Sequence, residues 1–446
     1  MNKPKVPYIS LLIADTVSSM GSRISVLAIP WLIWVTTASP SKMGIAVAAE
    51  MLPYVLTGVL AAPIADRVGL RRTIIVANIA SAVAMAGIAG LPGMNYLVLL
   101  GLVAIGGGLR GIADRSKNVI NRPIAKAAGI PIVRMTALYE GFTKTATLVG
   151  APVGGVLIYW LGARGAVWFD AASFAFCALL VITLVKMPPA DPAEPGANPA
   201  PTVKEPYFTA LKGGFAHLGK DRLLFALVLI TTASNLFTQA FTVFVPLWVG
   251  EVLKSPAALG LISGALAAGG VLGGIVFIML ATKLPRYVAF VVGLVVGSAP
   301  RLLVMGLSHN LALVLVVTFL AGFAISSVNP IMGAMLYERT PAQLQTRVFG
   351  VAAAVSFIGI PLGGLLAGWS VDGLGLNRAI LVGSIVLLAV SLLPLLFKER
   401  WAAGQATPAP DTPAPAPAQT AATATETAAE TEPSAQTEPS TVARTR

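Results

Sequence analysis

From residue 8 onward the chain runs in long apolar stretches divided by short polar breaks. About 20 apolar residues suffice for a helix to cross a bilayer. On that measure the pattern predicts twelve spans: 8–35, 43–65, 72–91, 95–121, 133–160 and 166–186, then 223–249, 256–281, 286–306, 311–336, 347–370 and 378–397. Between the two sixes lies MPPADPAEPGANPAPTVKEP, whose prolines oppose both a helix and a packed core. The segment after it, YFTALKGGFAHLGKDR, has the pattern of an amphipathic surface helix. Beyond Trp401 a Pro/Ala/Thr/Glu tail with almost no large apolar residues is expected to be disordered. The predicted organisation is a first six-helix bundle (1–186), a cytosolic linker (187–222), a second six-helix bundle (223–400) and a tail (401–446).

An internal repeat supports two related halves. GAPVGGVLIYW (Gly150–Trp160) and GIPLGGLLAGW (Gly359–Trp369) agree at six of eleven positions with a constant offset of 209. Parallel six-helix repeats are one way transporters are built. A weaker echo is polar. The first span presents Asp15, Ser18, Ser19 and Ser22 at i, i+3, i+4 and i+7; the seventh presents Asn235, Thr238, Gln239 and Thr242 at the same spacing. Such stripes face a partner or a wet cavity, so both first helices are expected to line one central space.

Composition fits the pattern: 446 residues are 56% hydrophobic and 11% charged, with mean hydropathy +0.81. Soluble domains carry roughly 25% charged residues. The net charge of +12 would suit nucleic acid, but position excludes that partner. Most of the 31 Lys and Arg fall in segments read as cytosolic, against Lys42, Arg164, Lys254 and Arg378 in segments read as external. That bias puts both termini in the cytosol and the protein in the cell membrane. The N-terminal apolar stretch contains Asp15 and Arg23 and lacks a cleavage site, so it reads as a retained span. Cys177 is the single cysteine, and His217 and His309 fall in loops, so no metal site or cofactor is expected. GGGLRG spells G-x-G-x-x-G without a βαβ setting, and no Walker A, H-E-x-x-H or G-x-S-x-G sequence occurs. Neither an enzyme nor an ATP-driven pump is indicated.

Charges within the spans carry the chemistry, because one at the bilayer centre costs about 2.5–3.5 kcal/mol on insertion scales. Arg110, Asp114, Lys117 and Asn121 share one helix face, and Glu140, Thr143, Lys144 and Thr147 share another. Asp15, Asp114 and Glu140 come out at matching depth, about 10 Å inside the cytosolic boundary at 1.5 Å per residue. Arg110 and Lys144 lie about a turn deeper, so a neutralising cluster is expected. Glu50 has no neighbouring partner in sequence, and Asp170 reads as interfacial. These acids and bases could hold helices together, but buried ion pairs stabilise poorly compared with apolar packing. Proton coupling through Asp15, Arg110, Asp114, Glu140, Lys144 and Glu50 is the sharper reading. In the second half Arg301 is the only charge within a span; neutral and aromatic groups replace the rest. Ser19, Ser22, Arg23, Asn235, Gln239, Phe241, Arg301 and Asn329 are the expected substrate-cavity residues.

The loop AAPIADRVGLRR resembles the signature loop of the major facilitator superfamily, roughly G-x-x-x-D-R-x-G-R-[RK]. Asp66, Arg67 and Gly69 match, Arg71 takes a basic position, and Ala62 and Leu70 depart from the pattern. GAPVGG is similar to the superfamily's antiporter motif G-P-x-x-G-G through Gly150, Gly154 and Gly155, with the proline shifted to Pro152. SSMGSRISVLAIPWLIW, ALYEGFTKTATLVGAP and NPIMGAMLYERTPAQLQTRVFG are similar to its drug-efflux branch of macrolide and siderophore exporters. The resemblance covers about residues 5–400. It implies an all-α membrane protein of twelve helices in two pseudo-symmetric bundles. It implies an inner gate at Asp66, Arg67, Gly69, Arg71 and Arg72, and proton-coupled export of a hydrophobic small molecule by alternating access. A monomer is expected. Two alternatives stay open: a proton-linked or facilitative importer of a metabolite, and a non-transporting sensor or assembly factor.

Overall fold

The structure is a computed structural model that describes residues 5–91, 93–185, 215–281, 283–341 and 344–397. Residues 187–206 of the predicted linker, the first half of the amphipathic segment after them and the tail lie outside them. Among the described residues thirteen long α-helices carry the fold. In the first half they are α1 (Val6–Thr37), α2 (Pro40–Val68), α3 (Leu70–Gly90), α4 (Tyr96–Ala127) and α5 (Ile132–Thr183). In the second they are α6 (Arg222–Trp248), α7 (Ala257–Leu280), α8 (Arg286–Gly297), α9 (Ala299–Leu307), α10 (Leu311–Ile325), α11 (Val328–Arg339), α12 (Gln345–Leu374) and α13 (Leu376–Leu392).

Element count and span count differ for local reasons. At 52 residues α5 holds the fifth and sixth spans, divided at Gly162, where φ 73 and ψ 171 leave helical geometry. That left-handed φ is one glycine adopts without a Cβ penalty. The ninth span is split into α8 and α9 at Ser298, and Pro300 sits in the first turn of α9, where its missing N–H costs no helical bond. Ser326 and Ser327 divide the tenth span into α10 and α11. Ten described segments are long and apolar enough to cross a membrane, Arg134–Thr183 counting as one, and α2 adds a further 29-residue helix. Outward faces bear large apolar side chains such as Ile278, 77% exposed, and Trp160, 76% exposed, as a lipid setting requires.

The repeat is visible in the packing. Gly150 and Gly154 lie against Met20 and Ile24 of α1, and Gly359 and Gly363 lie against Thr232 and Leu236 of α6. One residue on, each repeat reaches the other half. A Cβ at Gly155 would stand 2.6 Å from Gly260 Cα on α7, and one at Gly364 would stand 2.8 Å from Val47 Cγ1 on α2. No side chain fits at either contact, so the fifth span of each half packs directly on the second helix of the other.

The apolar core is asymmetric along the helices. Toward the end reached at Thr37, one continuous cluster joins both halves through Ile29, Ile33, Met43, Phe244, Trp248, Leu259 and Val371. Toward the other end the halves keep separate clusters. Tyr8, Leu11, Ile74, Ile120 and Val181 form one; Leu223, Leu227, Phe290, Ile331 and Val351 form the other.

Candidate functional site

The site grows from α4. Lys117 on it is 1% exposed, and its Nζ lies 2.7 Å from Asp15 Oδ1 of α1 and 3.2 Å from Asp114 Oδ1 one turn earlier. Asp15 is buried, whereas a third of the Asp114 side chain remains accessible. A second pair joins α4 to α2: Arg110 Nη1 stands 2.8 Å from Glu50 Oε1, with both side chains largely enclosed. Tyr54, one turn after Glu50, links the two groups. Its ring lies 4.9 Å from the Arg110 guanidinium, and its hydroxyl donates to Asp114 Oδ2 at 3.4 Å. The helices come close enough because Gly107 and Gly111 of α4 sit against the backbone of Glu50 and Tyr54. The G-x-G-x-x-G look-alike therefore serves helix packing.

Beside this network a cavity of about 210 Å³ opens between the halves. Ser19, Ser22, Arg23, Glu50, Tyr54, Arg110 and Asp114 line it from the first half, Gln239 and Thr242 from the second. The structure thus brings parts of both polar stripes together. Asp15 turns toward Lys117 instead, while Asn235 donates to the Ser356 carbonyl at 2.9 Å and borders a second cavity with Arg301 and Asn329. Phe241 is buried under the Arg301 guanidinium, 4.3 Å from ring centroid to charge.

Several arrangements differ from the sequence reading. The expected three-acid cluster holds two, for Glu140 and Lys144 lie on an exposed face of α5 and form no ion pair among the described residues. Arg110 neutralises Glu50, and Lys117 serves Asp15 and Asp114. Asp170, read as interfacial, is 1% exposed; it accepts from the Ser25 hydroxyl at 2.5 Å and the Ser173 hydroxyl at 3.1 Å. Lys117 and Tyr54 were not among the expected site residues. The i, i+3 step from Asp114 to Lys117 and the i, i+4 step from Glu50 to Tyr54 were the available signals.

Of the signature loop, the Asp66 side chain lies outside the described residues. Arg67 and Arg72 are exposed, and Gly69 joins α2 to α3 with φ 90. Arg71 donates 2.7 Å bonds to the Ile182 and Val185 carbonyls, all within the first half. In the antiporter-like segment, Pro152 packs on Gly264 of the second half.

The sequence profile of the Major Facilitator Superfamily matches residues 11–254 and 227–435. The multidrug efflux pump Tap of Mycobacterium tuberculosis is 26% identical over 402 residues, 88% of this chain and 94% of that protein. A multi-drug resistance efflux pump PmrA homolog of Lactococcus lactis is 27% identical over 355 residues, 77% of this chain and 82% of that protein. Among solved structures, the nucleoside transporter NupG superposes with TM-score 0.73 at 14% identity, covering 88% of this chain and 99% of that one. A bacterial homolog of the lysosomal transporter Spinster, inward-facing and unoccupied, gives 0.72 at 16% identity, covering 90% and 98%. These structural likenesses concern the fold. The chain is a multi-pass membrane transporter rather than an enzyme, and it belongs to the Major Facilitator Superfamily.

Proposed function

We propose that this transporter exports a hydrophobic small molecule from the cytosol across the cell membrane in exchange for protons, acting as a monomer. The observation that carries the reading is the linked set Asp15–Lys117–Asp114–Tyr54–Arg110–Glu50 beside a cavity between the halves. Asp114 is the accessible member, and it shares Lys117 with a buried acid. Protonating Asp114 from the cavity would release its hold on Lys117, leave that cation to Asp15, and loosen the Tyr54 hydroxyl. Cargo entering the cavity would favour the deprotonated form. Coupling follows if the two conformations differ in proton affinity.

The asymmetric core supports alternating access. Charge bias assigns the end reached at Thr37 to the outside, which makes the shared apolar cluster the closed outer gate and the separate clusters the two walls of a cytosolic opening. Ser41 at this end also hydrogen-bonds through its N–H to Asp372 at 3.2 Å, from the first half to the second. Asp66, Arg67, Gly69, Arg71 and Arg72 would close the opposite side. Glu140 and Lys144 remain proposed participants in a state that brings α5 inward. Export rather than import is favoured by the relatives named as multidrug efflux pumps.

Inside-out proteoliposomes test the proposal. An acid interior should drive uptake of a fluorescent hydrophobic dye, and collapse of the gradient by nigericin should stop it. Dye movement indifferent to the gradient would exclude proton coupling; accumulation only under the reversed gradient would favour the importer.

A further inference from the structure

Arg301 on α9 is 6% exposed and lies within a membrane-crossing segment. One face of its guanidinium is covered by Phe241, and its Nε meets no hydrogen-bond partner among the described residues. No carboxylate pairs with it there either. The described acids of this half are engaged elsewhere or exposed. Asp221 binds Arg339 at 2.7 Å, Glu338 binds Arg286 at 2.6 Å, Asp372 accepts from Ser41, and Glu251 is exposed. A purely structural role explains this poorly. An unpaired arginine at membrane depth costs about 2.5–3.5 kcal/mol, and an apolar residue would pack on Phe241 as well.

The guanidinium borders a cavity of about 230 Å³. Its wall carries hydroxyls (Thr231, Ser234), amides (Asn235, Asn329) and aromatic rings (Phe237, Phe290), and no carboxylate. A planar fork of donors, aromatic surface and neutral polar groups suit a carboxylate attached to a flat apolar body. The volume lies below the roughly 300–1,000 Å³ of sites that enclose a whole drug-sized ligand. It would therefore hold the anionic end and one ring system.

We propose that Arg301 receives the carboxylate of an amphiphilic organic anion, making aromatic carboxylates a cargo class of this transporter. This rests on the export reading above. Arg301 then does in the second half what paired acids and bases do in the first, but with cargo as the partner. A lipid phosphate could present similar chemistry, and the test separates the two.

Full-length protein in phosphatidylcholine nanodiscs is titrated with radiolabelled 2-naphthoate and, separately, with 2-naphthamide, which has the same ring and no charge. Saturable naphthoate binding, at least about tenfold tighter than naphthamide, is expected from a charge-assisted hydrogen bond. It should be lost in Arg301→Gln and only partly kept in Arg301→Lys, which retains the charge but not the planar fork. Equal binding of acid and amide, or undiminished naphthoate binding by a folded Arg301→Gln, would overturn the assignment. Should Arg301→Gln fail to elute as a monodisperse species, the acid–amide comparison on the unaltered chain decides alone. Displacement of naphthoate by phosphatidylglycerol added to the nanodiscs would assign the cleft to a headgroup and refute a cargo role. Proton-driven extrusion of a cationic dye is measured with the same unaltered protein. Dye extrusion without naphthoate binding counts against Arg301 alone; naphthoate binding without dye extrusion counts against the export reading alone.

Discussion

The two halves share a fold and a repeat but treat charge differently. In the first, Lys117 and Arg110 are buried against Asp15, Asp114 and Glu50, while Arg23 lines the cavity with no ion pair among the described residues. In the second, Arg301 is also buried, yet stacks on Phe241 with no acid beside it among the described residues. Related scaffolds thus carry different chemistry: one half holds paired acids and bases, the other presents neutral and aromatic groups and an arginine without an acid beside it among the described residues. Repetition of the Gly contacts shows that the architecture is symmetric; the chemistry is not.

The sharpest way to break the comparison is Lys117→Met. Removing the cation that a buried Asp15 and a partly accessible Asp114 share should destabilise the protein by about 3–5 kcal/mol. Thermal melting in detergent would report it, and adding Asp15→Asn should return part of the loss. Arg301→Gln strands no acid and should melt much closer to the unaltered chain. A comparable fall for both variants would mean that Arg301 has an internal partner after all.

Gly155→Leu tests the symmetric element. Its side chain would enter the space of Gly260, and overpacking of that kind costs about 1–3 kcal/mol. Because the contact joins the halves at the proposed outer gate, the variant should increase labelling of an introduced Gln239→Cys by a membrane-impermeant maleimide added from outside. Gly364→Leu, at the repeat-related contact, should act the same way. Unchanged labelling in both would show that these contacts do not form the gate.

Next in size is the Glu50–Arg110 pair. Glu50→Gln and Arg110→Gln should each slow proton-driven dye transport about tenfold, the worth of one charge-assisted bond. The double variant should be no slower than the worse single one, since both remove the same interaction. Additive losses would dissolve the pair as a functional unit.

The smallest effect lies outside the membrane. Asp221 caps α6 by accepting from the Leu223 and Leu224 N–H groups and also binds Arg339. Partial burial alone would raise its carboxyl, but the Arg339 bond and the two backbone donors hold it below the ordinary carboxylate value. Its contribution is therefore complete above the unfolded value of about 3.9 and fades as pH falls through the lower folded value. Asp221→Ala should lower stability by about 1 kcal/mol at neutral pH, with the difference shrinking in acid. A loss that grows toward low pH would reverse the sign.

Much of this was legible in the sequence, for identifiable reasons. Apolar run lengths marked the crossings because bilayer thickness fixes them, and the 209-residue offset marked two packing surfaces that do recur. The pairing was less legible. Helix geometry put Arg110, Asp114 and Lys117 on one face but could not say which neighbouring helix each would meet. That depended on Gly107 and Gly111 drawing α2 against α4 and so bringing Glu50 and Tyr54 to Arg110. Glu140 had the right depth but the wrong azimuth for this conformation. Asp170 was misread because a carboxylate near a helix end is usually wet, whereas Ser25 and Ser173 enclose this one.

The most direct test of the central claim, that Asp114 exchanges the coupling proton while sharing Lys117 with Asp15, is Asp114→Asn in proteoliposomes assayed in two modes. The account predicts that gradient-driven accumulation of dye disappears, while exchange of labelled for unlabelled dye at equal pH continues. Gradient-driven accumulation at the unaltered rate would contradict it.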